Sequence, residues 1–324
     1  MKFGMNRTLF LLISWAIIAF TVLSPEHAFP QKSRTRIAIF VSDSLTSTAR
    51  TLSGAKNIIK REHPEAQFDK YVIKRGILKD TAVVNSCLAN KTDIILTVGS
   101  SATEFAKRNF KKIPIVFSSV KYPALSGFVN SSSGTGNNIT GASLDIPLNV
   151  QFSYFKQILP KLEKIGVLYT ESTAPLIPSA KIVARELGMT LVPVLIKEPK
   201  ELPKALDSLA NITQGLWSVA DPELFGPQST RYILKTTLRK MIPFMGFSRH
   251  VVESGALFAL DFDYKAIGFQ AGEIVNKLID GADASEIRVT SSDVIYFHYN
   301  QKTANYIKIK IPPELIAVAR EVYK

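Results

Sequence analysis

The sequence predicts an α/β protein of two doubly wound lobes, each a parallel β-sheet covered by helices on both faces. Three observations carry this. Short β-branched runs alternate with longer segments of helical period, and the runs are continuously apolar, as in strands buried on both faces. The alternation also occurs twice, before and after a Ser/Gly/Asn-rich stretch from Asn130 to Asn138 that reads as a surface loop.

The first array begins with a strand at Ile37–Val41 and a helix near Thr46–Glu62. A strand at Phe68–Ile73 and a helix near Asp80–Asn90 follow, then a strand at Asp93–Val98, a helix at Ser101–Arg108 and a strand at Ile113–Ser118. The second array opens with a helix at Gln151–Leu159, a strand at Ile165–Tyr169 and a helix at Pro178–Leu187. Further strands are expected at Leu191–Ile196, Gly215–Val219, Ile242–Phe247 and Ala256–Leu260. Helices are expected near Glu201–Ala210, Ser229–Lys240 and Tyr264–Ile279.

The first thirty residues stand apart. Lys2 and Arg7 precede an apolar run from Leu9 to Leu23, broken by Ser24, Pro25 and Glu26, with Ala28 as a small residue for cleavage. This is the layout of a secretory signal peptide over residues 1–28, short for a membrane-spanning helix. Glu26 fits the cleavage pattern poorly, so an uncleaved amino-terminal anchor is the alternative. No Cys follows the run to carry a lipid. The expected location is therefore the periplasm or extracytoplasmic space.

Cys87 is the sole cysteine, which excludes an intramolecular disulfide and a cysteine-based zinc site. His27, His63, His250 and His298 are dispersed without metal-ligand spacing, so no metal is expected. Neither a Walker A sequence nor a dinucleotide fingerprint is present, and no cofactor is expected. The net charge of +13 invites a nucleic-acid reading, but acids separate most of the basic residues and no DNA- or RNA-binding motif occurs. No nucleic acid is expected as a partner, and the basic residues read as a solvated surface.

Open parallel sheets bind ligands beyond the carboxyl ends of their strands, and two such sheets facing one another share a cleft. The candidate ligand-binding residues follow from this rule. In the first lobe they are Ser42, Asp43 and Ser44 after the first strand, Gly99, Ser100 and Ser101 at a strand-to-helix turn, and Ser118 and Ser119. Free amides at the Ser100–Ser101 helix start suit a carboxylate or phosphate; simple capping is the competing reading. A nucleophile elbow would need a second glycine where Thr103 stands. In the second lobe Tyr169, Thr170 and Phe247 face the same gap. No nucleophile–base–orienter set assembles, so an enzyme is not expected.

Several ordered motifs resemble a known family. They are Ile113-Pro-Ile-Val-Phe-Ser-Ser-Val, Asn138-Ile-Thr-Gly-Ala-Ser-Leu-Asp-Ile-Pro-Leu, Lys164-Ile-Gly-Val-Leu-Tyr, Ile242-Pro-Phe-Met-Gly-Phe, Glu253-Ser-Gly-Ala-Leu, Asp263-Tyr and Ile311-Pro-Pro-Glu-Leu. They are similar to the ABC-transporter substrate-binding family that includes tryptophan- and tyrosine-binding lipoproteins. The resemblance spans roughly residues 90 to 324.

It implies a type I periplasmic-binding-protein-like fold, two lobes joined by a hinge that closes on a ligand. The first lobe is expected over 33–143, completed by the helix near 264–280, and the second over 144–262 plus 283–324. It also implies capture of a small organic molecule, such as an amino acid or related compound, and delivery to an ABC permease by a monomeric binding protein. The alternative is a sensing subunit that docks on a membrane receptor kinase or cyclase. By the same resemblance Asp221 and Asp263 become candidates to receive a ligand amino group, with helix capping as the competing role of each; Asp263 precedes a helix and suits an N-cap. The sequence departs from the family at Lys121-Tyr122, at Pro222, and at Ser248-Arg249, and Tyr122 and Ser248 join the candidates as cleft positions.

Overall fold

The computed structural model describes residues 34–74, 76–130 and 136–324. The expected signal segment and residues 131–135 of the Ser/Gly/Asn-rich stretch lie outside the described residues. Two sheets organise the chain.

The first contains β1 (Arg36–Val41), β2 (Gln67–Val72), β3 (Ile94–Val98), β4 (Ile115–Val120) and β5 (Ile139–Ser143) in the order β2-β1-β3-β4-β5. All its pairings are parallel. Strands β3 and β5 are buried along their whole length, as expected for strands covered on both faces. Alternate side chains feed opposite cores. Ile37, Ile39 and Val41 pack on one face with Leu52, Ile59 and Ile267, while Ala38 and Phe40 pack on the other with Phe105 and Phe117.

The helices of this layer are α1 (Thr46–Glu62), α2 (Thr81–Ala89) and α3 (Ser100–Asn109). Helix α1 buries Thr48, Thr51, Leu52, Ala55, Ile58 and Ile59, one stripe at helical spacing. Asp80 caps α2 by accepting from the Ala82 and Val83 amides.

The second sheet holds β6 (Lys164–Tyr169), β7 (Thr190–Leu195), β8 (Gly215–Ser218), β9 (Phe244–Gly246), β10 (Phe258–Phe262), β11 (Ile295–Asn300) and β12 (Ala319–Tyr323). Their order is β12-β11-β10-β9-β8-β6-β7. Its helices are α4 (Leu148–Ile158), α5 (Ile177–Glu186), α6 (Leu202–Ile212), α7 (Pro227–Arg239) and α8 (Arg249–Glu253). This sheet too has two cores, one around Phe152, Phe155, Trp217 and Phe258, the other around Leu206, Leu216, Ile233 and Phe244.

Helix α9 (Tyr264–Ile279) follows β10 but packs on α1 and on β4 and β5 of the first sheet. The chain then returns to the second sheet, where α10 (Gln301–Tyr306) and α11 (Pro313–Ala317) precede β12. On the way Thr290 pairs with β5: its amide donates to the Gly141 carbonyl, and its own carbonyl accepts from the Ser143 amide. The chain therefore passes between the two sheets three times, at 144–147, at 263 and near 291–294.

One expectation needs correction. The second sheet is not parallel throughout, because β11 runs antiparallel to β10. A strand entering from the α9 side arrives at the end where β10 left, so its direction is reversed.

Candidate functional site

The strand ends of the first sheet form a compact hydroxyl-lined edge, but much of their hydrogen-bonding capacity is used internally. The Ser42 hydroxyl accepts from the Ala102 amide at 3.0 Å, capping the start of α3 from the neighbouring strand end. Gly99 permits this: its φ is +94°, and a Cβ there would lie 2.7 Å from Ser42 Oγ. The expected free anion seat at Ser100–Ser101 is thus partly filled by the protein itself.

Asp43 accepts from Leu45 N and Thr48 Oγ1, shaping the turn into α1, and Ser44 is exposed. Ser118 is fully buried and donates to the Thr97 carbonyl at 2.8 Å, while the Ser119 hydroxyl pairs with Thr51 at 3.0 Å. Ser118 is therefore part of the sheet, and burial keeps it from the cleft.

The two candidate carboxylates are also engaged. Asp221 is 1% exposed. Its oxygens accept from Thr170 N, Thr170 Oγ1, Thr173 Oγ1, Glu223 N and Leu224 N at 2.6–3.1 Å. Burial alone would raise its pKa, but the bonds from Thr173, Thr170 and the amides outweigh burial and hold it below the ordinary carboxylate value. Its lone pairs bind two loops of its own lobe together, leaving little to offer a ligand ammonium.

Asp263 caps α9 through the Lys265 and Ala266 amides, the helix-capping alternative. It also accepts from Tyr296 Oη at 2.8 Å and from the Arg50 guanidinium at 3.2 Å. Burial opposes its ionisation, yet these donors hold its pKa below the usual value. Asp263 stands where the chain passes between sheets, tied to α1 on one side and β11 on the other.

A cavity of about 230 Å³ opens between the sheets. The first sheet contributes Lys121 and Tyr122, beyond the end of β4; the passage 144–148 forms its floor. The second sheet supplies Trp217 and Ser218 from the end of β8 and Ala220 beyond it, Met245 to Phe247 at the end of β9, and Leu260 and Phe262 from β10. The wall is largely apolar and aromatic, with a few polar groups, the usual composition of a small-molecule site.

Those polar groups have definite partners. Gln151 accepts from Trp217 Nε1 at 2.8 Å and donates to the Ile146 carbonyl at 2.7 Å, fixing the indole. Ser218 donates to the Met245 carbonyl at 2.7 Å. Both Asp145 oxygens accept from the Tyr122 amide, at 2.9 and 3.1 Å. Burial raises the Asp145 pKa despite that bond and the attraction of Lys121. Tyr122 adopts a positive φ of 49° and packs against the core of the second lobe, its phenol meeting the Ala220 backbone. Burial and then Asp145 push that phenol well above the ordinary tyrosine value, so it stays neutral.

Of the sequence-based candidates, Tyr122 and Phe247 line this cavity. Tyr169 packs at the edge of the adjoining core, and Ser248 precedes α8 without a side-chain cap bond. Thr170 instead borders a separate cavity of about 560 Å³, with Ile196, Leu202, Leu224 and Tyr232, which lies entirely within the second lobe. Trp217, Asp145 and Gln151 were missed. Two of the three carry a signal in the sequence: Trp217 is the penultimate residue of its strand, and Asp145 lies inside the Ser143-Leu-Asp-Ile-Pro motif; Gln151 carries none. Among the described residues no cluster of His, Cys, Asp and Glu is arranged to hold a metal ion, and no helix is long and apolar enough to cross a membrane.

Two α/β lobes, three passages between them and an apolar cavity in the gap define a two-lobed ligand-binding protein. Residues 37–323 match the model of the ABC transporter substrate binding protein family, and the chain belongs to that family of extracytoplasmic small-molecule-binding proteins, which is not an enzyme family. It is similar to a tyrosine-binding protein of Clostridioides difficile (strain R20291), 26% identical over 225 residues, covering 68% of this chain. The match spans 65% of that relative's own length, just under two thirds.

Among solved structures, the fold resembles an ABC domain from Streptococcus pneumonia in complex with L-Trp, at TM-score 0.63 and 19% identity over 90% of this chain and 100% of that one. It also resembles a ligand-free, open substrate-binding protein with adhesive properties from Clostridium difficile, at TM-score 0.74 and 20% identity over 90% of this chain and 99% of that one. These neighbours have the type I periplasmic-binding-protein-like architecture.

Proposed function

We propose that this chain captures a small organic molecule of amino-acid size in the cavity between its lobes and delivers it to an ABC permease outside the cytoplasmic membrane. The cavity carries the reading: it draws its walls from both lobes and from the passage between them, so a bound molecule favours one lobe arrangement over others. Its volume of about 230 Å³ suits a compact solute with an apolar body. The tyrosine-binding relative supports an amino acid or a related compound as that solute.

In this reading the first lobe covers 33–143 completed by α9, and the second 144–262 with 283–324. The packing of α9 on α1 supports the first assignment, while the pairing of Thr290 with β5 draws residues near 287–290 toward the first lobe. The amino-terminal segment serves as an export signal ending near residue 28. The strand-end hydroxyls of Ser42, Ser100 and Ser101 form the opposite lip of the cleft, which approaches the ligand when the lobes close.

Native mass spectrometry of protein purified from its own envelope fraction tests this. The expected result is a chain beginning near Phe29 that retains a small molecule, together with chemical cross-links to a membrane permease. A processed chain that carries no small molecule, and whose loss leaves solute uptake unchanged, would overturn the reading. Cross-links to a membrane kinase or cyclase instead would move the protein to a sensing role.

A further inference from the structure

Taking the interlobe cavity as the solute site of the proposed function, we infer that Lys121 is its charge-selecting residue and that the solute carries an acidic group on an aromatic or aliphatic body. Lys121 lines the cavity beside Tyr122, and the facing wall offers Trp217, Phe247 and Leu260. Among the described residues its ammonium donates no hydrogen bond and forms no ion pair. Other polar side chains of the wall have protein partners: Gln151 bonds Trp217 and Ile146, Ser218 bonds Met245, and Asp145 accepts from the Tyr122 amide. Among the lining residues Lys121 is the one cation, and no protein group holds its ammonium.

A lysine kept only as a counter-ion would behave differently. Attraction grows as separation falls, so a neutralising lysine gains most by touching its carboxylate. Asp145 and Asp261 both attract Lys121, yet it contacts neither. Burial pulls its pKa below the ordinary lysine value, and the two carboxylates oppose that pull. A desolvated ammonium without a direct partner is costly, and a bound acid would relieve the cost. The apolar wall then takes the rest of the molecule, whereas a polyol would leave its hydroxyls against Trp217 and Leu260 without partners.

Calorimetric titration with four compounds tests the assignment: L-tyrosine, 3-(4-hydroxyphenyl)propanoate, tyramine and myo-inositol. The parent protein should bind one or both acids, and tyramine and myo-inositol at least tenfold more weakly. Lys121→Met should weaken acid binding by about 30-fold or more, the usual result of truncating one partner of a buried charge pair. Lys121→Arg should restore most of it. Melting of Lys121→Met should stay close to that of the parent, since Lys121 touches no protein carboxylate and Met keeps most of its apolar stem.

Lys121→Met binding the acids within threefold of the parent would overturn the assignment. So would tighter binding of tyramine or myo-inositol than of either acid; solute capture would survive both results. If the parent binds none of the four, the molecule retained in native mass spectrometry decides. An acidic one that Lys121→Met fails to retain supports the assignment, and a neutral or purely basic one overturns it. No retained molecule and no titration response would remove the solute site, and this assignment with it.

Discussion

Five donors converge on Asp221 from two loops, and none of them is a charged side chain. Such a carboxylate acts as a clasp for the segment between β8 and α7. Asp221→Ala strands several buried donors at about 1–3 kcal/mol each, so a loss of at least about 3 kcal/mol is expected, measured by urea unfolding. The pH dependence has a definite sign. Because the folded pKa is depressed, the stabilisation is complete above the unfolded-chain value of about 3.9 and is lost as pH falls through the lower folded value. Melting temperatures should therefore drop more steeply below about pH 4 in the parent than in Asp221→Asn. Parallel profiles for the two would assign the acid sensitivity elsewhere.

At the scale of elements, the closest packing joins helices far apart in sequence. Helices α1 and α9 meet through Gly54, Gly268 and Gly272, and a Cβ on Gly268 would collide with the Thr51 carbonyl. The contact is backbone on backbone, so no side chain can move aside. Gly268→Ala should cost about 1–3 kcal/mol or more, as overpacking does. Gly281→Ala is the control: at φ +99° it meets no neighbour, and only its backbone strain of about 1 kcal/mol is expected. Equal melting of the two variants would show that the helices can separate without loss.

The same contact explains what could and could not be read in the sequence. Helix α9 was legible from its period, and its placement on the first lobe came from the family resemblance. Strands with branched apolar runs, such as β1 and β6, were legible directly. Strand β5 reads Ile-Thr-Gly-Ala-Ser; its small residues seat against Phe117, a tertiary reason with no local signal. Strands β11 and β12 were passed over because their polar residues, His298 and Glu321 among them, do not form a continuous apolar run. The site was less legible for a similar reason. Strand-end hydroxyls are visible in a sequence, but the Ser42 bond to Ala102 and the Ser118 bond to Thr97 are not; the first engages part of Ser42's capacity, and the second fixes Ser118 inside the sheet.

For the whole molecule, the passages between lobes decide which arrangement is populated. Asp263 occupies one passage and holds Arg50 of α1 and Tyr296 of β11 at once, and Arg320 lies 5.0 Å over the Tyr296 ring. Asp263→Ala is an ambiguous test, because it also removes the α9 cap at about 1 kcal/mol. Tyr296→Phe is cleaner: it deletes one bond across the passage and leaves the cap intact. A hydrogen bond to a charged group is worth about 1.5–3 kcal/mol, so the arrangement that holds it should lose roughly tenfold or more in relative population. Cys87 is the sole cysteine and is buried, so spin labels can be placed on cysteines introduced at Lys112 and Ile316, exposed sites on the two lobes. Pulsed dipolar spectroscopy should then record a shifted or broadened interlobe distance in Tyr296→Phe, with melting close to that of the parent. An unchanged distance distribution would mean that the bond only orients Asp263 for its cap, and that the other two passages set the angle between the lobes.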